Sequence, residues 1–329
     1  MAVTTERTVA VTFPIDDEMR SAIDEALGQA ATVAFVRDMR EGERLEALRG
    51  SEVILAWNWL EIGASESEAM RELRFVQLLS AGADHVPHAA LPTGVVIASN
   101  VGAYAEPMAE HVAAMALALA KRLPHRHAEL ARGEFHQFPP TRALHGSVCG
   151  ILGFGGIGRA TGRLMRAFGA RIHAINTTGR TNEPVEFVGT LQQLDRVVGA
   201  SDIVVIALPL TKATRGLIGA RELSLMNPDA ILVNVARGGI IDQAALFEHL
   251  RAHPEFMAGI DAWWTEPFGQ GEFRTDFPFF ELPNVLGSPH NSAIVPGIQI
   301  VAARRAAENV LRYLRNEPLR GVVRREDYA

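Results

Sequence analysis

Short apolar runs and amphipathic helical stretches take turns along this 329-residue chain, and no other feature narrows the fold so far. Strands separated by helices are too far apart in sequence to pair as hairpins. They line up in parallel, and helices cover both faces of the sheet. In the first hundred residues, 8–13, 32–36, 53–57, 75–79 and 95–99 read as strands, with helices near 17–27, 43–48 and 66–73. Residues 104–123 read as a long helix, apolar on most sides, which has to be buried in a core or between subunits. The polar stretch 124–144, with Pro139-Pro140 inside it, reads as a connection. A second array follows, with strands at 147–152, 171–176, 202–207, 230–235, 257–261 and 284–288. Its helices fall near 156–168, 191–198, 220–225 and 243–250. A last helix, 293–316, is expected to return to the first array. The expectation is an α/β chain of two doubly wound, parallel-sheet domains, 1–105 with 294–329 and 106–293.

The turn Gly153-Phe154-Gly155-Gly156-Ile157-Gly158 follows the strand at 147–152 and opens a helix. In that context the spacing has a physical meaning. The first glycine makes a tight turn, the second lets backbone approach a pyrophosphate, and the third lets helix and strand pack closely. The helix N-terminus then meets the phosphates with unpaired N–H groups. The next strand ends in Asn176, where an NAD site is expected to place an acid on the ribose 2′-OH. Thr177, Thr178, Gly179 and Arg180 follow. Asparagine removes the charge that would repel a 2′-phosphate, and Arg180 can pair with one, so NADP(H) is favoured over NAD(H). In the rival reading Arg180 is a solvated loop cation and the asparagine accepts the 2′-OH of NAD.

Three residues downstream suit a reaction. Arg237 lies in Asn234-Val-Ala-Arg-Gly-Gly-Ile-Ile-Asp242, Glu266 in Gly259-Ile-Asp-Ala-Trp-Trp-Thr-Glu-Pro267, and His290 after Ser288-Pro289. A fixed cation, a carboxylate and an imidazole, each beside a strand end, suit reduction of a carbonyl next to a carboxylate, with a nicotinamide as reductant. Taken singly, each has a plain rival: a surface arginine, a loop acid, a turn residue. Asp242 reads as a helix N-cap.

The bulk numbers exclude other classes. A net charge of −6 leaves no basic footprint for nucleic acid. No apolar run is long enough for a membrane span, and the first residues do not read as a signal peptide. One cysteine, Cys149, excludes an internal disulfide framework and fits a reducing cytoplasm. The eleven histidines are dispersed without metal-ligand spacing, so no metal is expected.

Read in order, these segments resemble the D-isomer-specific 2-hydroxyacid dehydrogenases, a family that includes glyoxylate and hydroxypyruvate reductases. Also carrying the likeness are Gln77-Leu-Leu-Ser-Ala-Gly-Ala-Asp84, Ala109-Glu-His111 and Leu208-Pro-Leu-Thr…Thr214-Arg-Gly-Leu-Ile218. The resemblance implies a flavodoxin-like substrate domain and a Rossmann cofactor domain. It implies that Arg237 holds the substrate carboxylate and carbonyl oxygen. The backbone N–H groups of Ala81, Gly82 and Ala83 take the other carboxylate oxygen. His290 gives a proton to the carbonyl oxygen, and Glu266 orients His290 and favours its charged form. Asp261 accepts from the nicotinamide carboxamide, Val235 and Ala236 line the nicotinamide, and Leu208, Pro209 and Thr214 touch the cofactor. The implied partners are a small 2-keto or 2-hydroxy acid and a second copy of the chain, in a homodimer through the 104–123 helix.

Ser80-Ala81-Gly82-Ala83 departs from the Gly-Ala-Gly of many relatives. Trp57 and Trp59 read either as an aromatic wall for the substrate or as core, and Tyr104, Trp263, Trp264 and Phe268 are further pocket candidates. Formate and phosphite dehydrogenases share the fold. The former carry glutamine beside their histidine, and the latter a substrate-loop lysine that residues 76–83 lack. Nicotinamide-sensing corepressors also share it and can keep the triad. No interaction motif or low-complexity segment is seen here to favour them.

Overall fold

The computed structural model describes residues 7–267 and 271–328, apart from the side chain of Leu60. Phe268, one of the pocket candidates, lies outside the described residues. The chain divides into two units: Met1–Tyr104 with Val295–Ala329, and Ala105–Ile294.

In the first unit β1 (Thr8–Val11), β2 (Thr32–Phe35), β3 (Val53–Ala56), β4 (Phe75–Leu78) and β5 (Val96–Ala98) form a parallel sheet in the order β2-β1-β3-β4-β5. Every residue of β3 and β4 is buried, as a sheet covered on both faces requires. The order reverses between β1 and β3, so the ends of these strands open a crevice, the usual place for a ligand in such sheets. Helices α1 (Asp17–Leu27), α2 (Glu41–Arg49) and α3 (Ala64–Ala69) connect the strands. Asp16 caps α1, its side chain accepting from Met19 N–H at 2.7 Å.

The second unit begins with α4 (Ala105–Ala120) and α5 (Leu123–Ala131). Its sheet holds β6 (Val148–Leu152), β7 (Arg171–Ile175), β8 (Phe187–Gly189), β9 (Ile203–Ile206), β10 (Ile231–Asn234), β11 (Met257–Ile260) and β12 (Val285–Gly287). All pair in parallel, in the order β12-β11-β10-β9-β6-β7-β8, so the reversal falls between β6 and β9. Helices α6 (Gly156–Ala167), α7 (Leu194–Ala200), α8 (Ala220–Leu225) and α9 (Gln243–Ala252) complete the array. β8 has only three residues and follows the polar stretch 176–186, so no apolar run marks it in sequence.

One expectation meets its first alternative and another changes. The 104–123 helix is apolar because its own unit buries it: Ala109, Val112 and Ala116 are fully buried, packed with α6, β10 and β11. The stretch 124–144 is not only a connection, because α5 occupies its start. Pro124 is tolerated there in the first turn of a helix, where an N–H has no partner anyway. Buried Glu129 draws in Arg126 at 2.7 Å and His125 and His136 at 3.2 Å each, so polar residues at helical spacing hold this segment.

The last helix, α10 (Ile298–Leu314), belongs to the first unit, packing on α1 and β4. Asn309 Nδ2 donates to buried Gln77 Oε1 at 2.6 Å, and Tyr313 stacks on Phe75 at 4.7 Å.

Candidate active site

The glycine turn leaves β6 at the sheet's reversal point. Gly153 stands at φ 101°, and a Cβ there would lie 2.5 Å from the Ala207 backbone just past β9. A Cβ on Gly158 would lie 2.1 Å from the Gly153 carbonyl oxygen. Gly155 is different: it is exposed, and a Cβ would meet no protein atom within 4 Å. Protein packing therefore accounts for Gly153 and Gly158. The space over Gly155, in front of a helix start without a side-chain cap, fits a pyrophosphate. Phe154 is 3% exposed and turns inward on Gly162, so it would offer backbone alone.

Past β7, the Asn176 side chain builds the following loop. Its Oδ1 accepts from Gly179 N–H at 2.7 Å and Thr178 N–H at 3.0 Å, and its Nδ2 donates to the Arg180 carbonyl at 2.8 Å. Thr177 and Arg180 are exposed on that loop. Past β9, Thr214 braces the turn that carries Leu208 and Pro209: its hydroxyl donates to the Pro209 carbonyl at 2.6 Å and accepts from Thr211 N–H at 2.8 Å.

The ends of β10, β11 and β12 carry the other predicted residues. Asn234, 1% exposed, accepts from Ala236 N–H and donates to the Arg237 carbonyl, both at 3.0 Å, which fixes the backbone under Val235, Ala236 and Arg237. Gly238 is obligatory, since a Cβ would lie 2.3 Å from the Trp263 carbonyl carbon. Arg237 Nη1 donates to the Ala236 carbonyl at 2.8 Å.

His290 Nδ1 lies 2.8 Å from both carboxylate oxygens of Glu266, and Glu266 Oε1 also accepts from Trp263 N–H at 2.7 Å. An ionised carboxylate can only accept, so Nδ1 carries a hydrogen and the ring's orientation is fixed. The histidine stands at φ 51°, a left-handed conformation that costs a non-glycine residue energy and persists only when its surroundings enforce it. Asp261 enforces it. Fully buried, it accepts from Ser288 Oγ at 2.5 Å, Asn291 N–H at 3.1 Å and Ser292 N–H at 3.2 Å. His111 Nε2, on α4, lies 2.9 Å from the same Ser288 hydroxyl. Trp263 Nε1 donates to the Ser288 carbonyl and Trp264 Nε1 to the Ile241 carbonyl, so both tryptophans brace these loops. A cavity of about 330 Å³ lined by Trp263, Phe273, Phe280, Pro289 and His290 lies alongside. Sequence reasoning quoted Asn234, Ser288 and His111 without giving them work. For Asn234 and Ser288 the available signal was a polar residue closing an apolar strand; His111, inside α4, gave no such signal.

In the first unit, Ala81, Gly82 and Ala83 follow β4. Their three consecutive N–H groups meet no acceptor among the described residues, although Ala83 is 1% exposed. Ala81 and Gly82 are half-buried, and a run of consecutive unpaired N–H groups could take an anion. Trp57 packs edge-on to Phe13 at 6.4 Å, and its backbone N–H donates to Glu61 Oε2 at 3.3 Å, which also accepts from the Thr12 hydroxyl at 3.0 Å. Burial pushes the Glu61 carboxyl above the usual range, against those hydrogen bonds. Trp59, 5% exposed, is core, and Tyr104 donates to the Leu79 carbonyl.

A sequence profile described as the NAD binding domain of D-isomer specific 2-hydroxyacid dehydrogenase matches residues 113–292. D-3-phosphoglycerate dehydrogenase of Methanocaldococcus jannaschii is 28% identical over 320 residues, which are 96% of this chain and 59% of that one. The chain thus spans less than two thirds of that relative's length. Glyoxylate reductase of Thermococcus gammatolerans is 30% identical over 282 residues, 83% of each chain. Among solved structures, a candidate formate dehydrogenase of Pyrobaculum aerophilum is 29% identical with a TM-score of 0.84, over 97% of this chain and 99% of that one. A D-isomer specific 2-hydroxyacid dehydrogenase of Xanthobacter autotrophicus Py2, in complex with NADPH, is 26% identical with a TM-score of 0.80, over 99% and 100%.

Proposed function

Because the chain belongs to the D-isomer specific 2-hydroxyacid dehydrogenase family, we propose that it reduces a 2-keto acid to the D-2-hydroxy acid, reversibly, with NADP(H) favoured over NAD(H). The observation that carries this reading is the His290–Glu266 pair at 2.8 Å on an enforced left-handed turn. Nδ1 faces Glu266, so Nε2 is the nitrogen that would meet a substrate carbonyl. Imidazolium suits the donor because it changes charge near neutral pH. When bound, the nicotinamide supplies the hydride. Arg237 would hold the substrate carboxylate and carbonyl oxygen by paired N–H donors, and its guanidinium stays charged throughout. The unpaired N–H run at Ala81, Gly82 and Ala83 would take a carboxylate oxygen. Gly155 and the α6 N-terminus would hold the pyrophosphate, between Leu208, Pro209 and Thr214 on one side and Val235 and Ala236 on the other. Asp261 would take the nicotinamide carboxamide while it clamps the 288–292 loop.

Three observations support the NADP(H) preference. Asn176 Oδ1 already accepts two backbone N–H groups, which leaves it poorly placed to take a ribose 2′-OH as well. Exposed Arg180 follows it, and the Xanthobacter relative binds NADPH. A cytoplasmic site of action fits a sole, buried cysteine, and no described helix is long and apolar enough to cross a membrane. A homodimer fits the exposed Leu123, Leu130, Phe135 and Phe138 around α5 better than the α4 face itself, which its own unit buries. Sedimentation that gives a monomer at micromolar concentration overturns the dimer.

The test of the activity is oxidation of NADPH and NADH in the presence of glyoxylate, hydroxypyruvate, pyruvate and phenylpyruvate. Absence of turnover with all four overturns the proposal. The Pyrobaculum likeness favours a second reading, formate oxidation, so formate with NADP+ and NAD+ belongs in the same panel. Formate turnover without keto-acid turnover selects it.

A further inference from the structure

The serine that sets Ser80-Ala81-Gly82-Ala83 apart has a structural partner. Its hydroxyl donates to the Gly82 carbonyl at 2.8 Å, and His85 Nε2 lies 3.1 Å from the same oxygen. The other ring nitrogen, His85 Nδ1, accepts from Trp59 N–H at 3.1 Å. Only one assignment of hydrogens satisfies all three contacts. Nδ1 receives a hydrogen from the backbone, so it carries none. The ring is then neutral, with its hydrogen on Nε2, which donates to Ser80 Oγ. The serine passes the direction on by donating its own hydrogen to Gly82. The chain of donors runs one way: Trp59 N–H, His85, Ser80, Gly82 C=O.

We propose that His85 and Ser80 are positioning residues that set the backbone of residues 81–83 for binding a carboxylate, and that they do so through this one-way relay with His85 neutral. The inference rests on the reading of 81–83 as a carboxylate site. Pulling the Gly82 carbonyl back onto Ser80 fixes the peptide between residues 82 and 83, and with it the direction of the Ala83 N–H. That N–H is one of three in a row without an acceptor among the described residues. Glycine at position 80 could not make this contact. The serine is therefore a second support for the loop rather than a neutral exchange. The relay's far end is fixed, because Trp59 is 5% exposed and anchored in the core.

The relay predicts which substitutions are tolerated. Gln at 85 can place an amide N–H where Nε2 was, whereas Asn reaches only the Nδ1 position. His85→Gln and Ser80→Thr are therefore expected to keep the KM for the keto acid within about twofold. His85→Asn and Ser80→Ala are expected to raise it about tenfold, the usual effect of one lost hydrogen bond, with the KM for the nicotinamide unchanged. Equal effects of Gln and Asn, or a rise shared by both substrates, overturn the relay.

A spectroscopic reading needs no turnover. The nitrogen-15 shifts of His85 at pH 7 should be those of a neutral ring protonated on Nε2, and Ser80→Ala should shift the Ala83 amide resonance. A charged ring or an Nδ1–H tautomer overturns the proposal. If the tautomer and the amide shift are as expected but oxalate, added as a carboxylate probe, moves none of the 81–83 amides, then the carboxylate-binding part is overturned. If oxalate moves them while no keto acid is turned over, the reading that fails is the reductase activity.

Discussion

Two of the strand-end loops of this protein are made in opposite ways. The loop at 288–292 is made of side chains. Glu266 holds His290, buried Asp261 takes three donors, and His111 backs Ser288. The loop at 80–85 presents backbone. What it offers are the N–H groups of two alanines and a glycine, and its side chains, Ser80 and His85, only set their direction. The comparison teaches where a function can be read. Chemistry held in side chains announces itself by residue type and spacing. Chemistry held in the backbone is invisible until the conformation is known, because any residue supplies an N–H.

The sharpest way to break the comparison is His290→Ala. If the side chain is the proton donor, kcat falls about a thousandfold, while NADPH still binds when followed by its fluorescence. Activity near that of the wild type would leave the 288–292 loop with no chemistry of its own. Arg180→Ala comes next, at the exposed loop after β7. It should raise the KM for NADPH about ten- to a hundredfold, the range for a lost charge-assisted hydrogen bond, and change that for NADH little. Equal losses, or none, overturn the NADP(H) preference. Ser288→Ala is smaller and isolates the clamp from the donor. It leaves a buried Asp261 oxygen short of a partner, so unfolding should become about 1–3 kcal/mol easier, and kcat should fall about tenfold as the loop loosens. A stability loss with unchanged kcat would mean that the clamp holds the fold but not the histidine.

The smallest effect lies away from both loops. Burial, helped by neighbouring His253, pushes the His249 imidazole down to about 4. The unfolded chain therefore binds a proton at this residue between pH 6.5 and 4 that the folded chain refuses. Stability from this source is complete above pH 6.5 and is lost as the pH falls towards 4. His249→Gln should flatten the decline of Tm across that window. An unchanged slope places the acid sensitivity elsewhere.

Legibility followed the same division. The sheets were readable because every strand except β8 falls on an apolar run, and helical patterns separate most of them. The glycine turn and the Arg237, Glu266 and His290 positions were readable from type and order. The parts that escaped depend on partners far away in sequence. α5 hid behind Pro124 and a polar composition, since nothing local says that Glu129 gathers His125, Arg126 and His136. The apolar character of α4 could not distinguish a core helix from a subunit contact. Asn176 was read by its charge alone, although its amide spends itself on the following loop.

The first unit is drawn from both flanks of the second, with α10 supplying buried Ala302, Ala303, Ala306, Ala307 and Val310. A ribosome therefore delivers β1 to β5 well before the helix that covers them. Making the 190 residues of 105–294 takes roughly 10–40 s at common rates of translation. Through that interval the first sheet lacks this helix, whereas the second unit is made in one uninterrupted stretch. Birth order thus makes the first unit the last to be completed, although its strands are the first to be made.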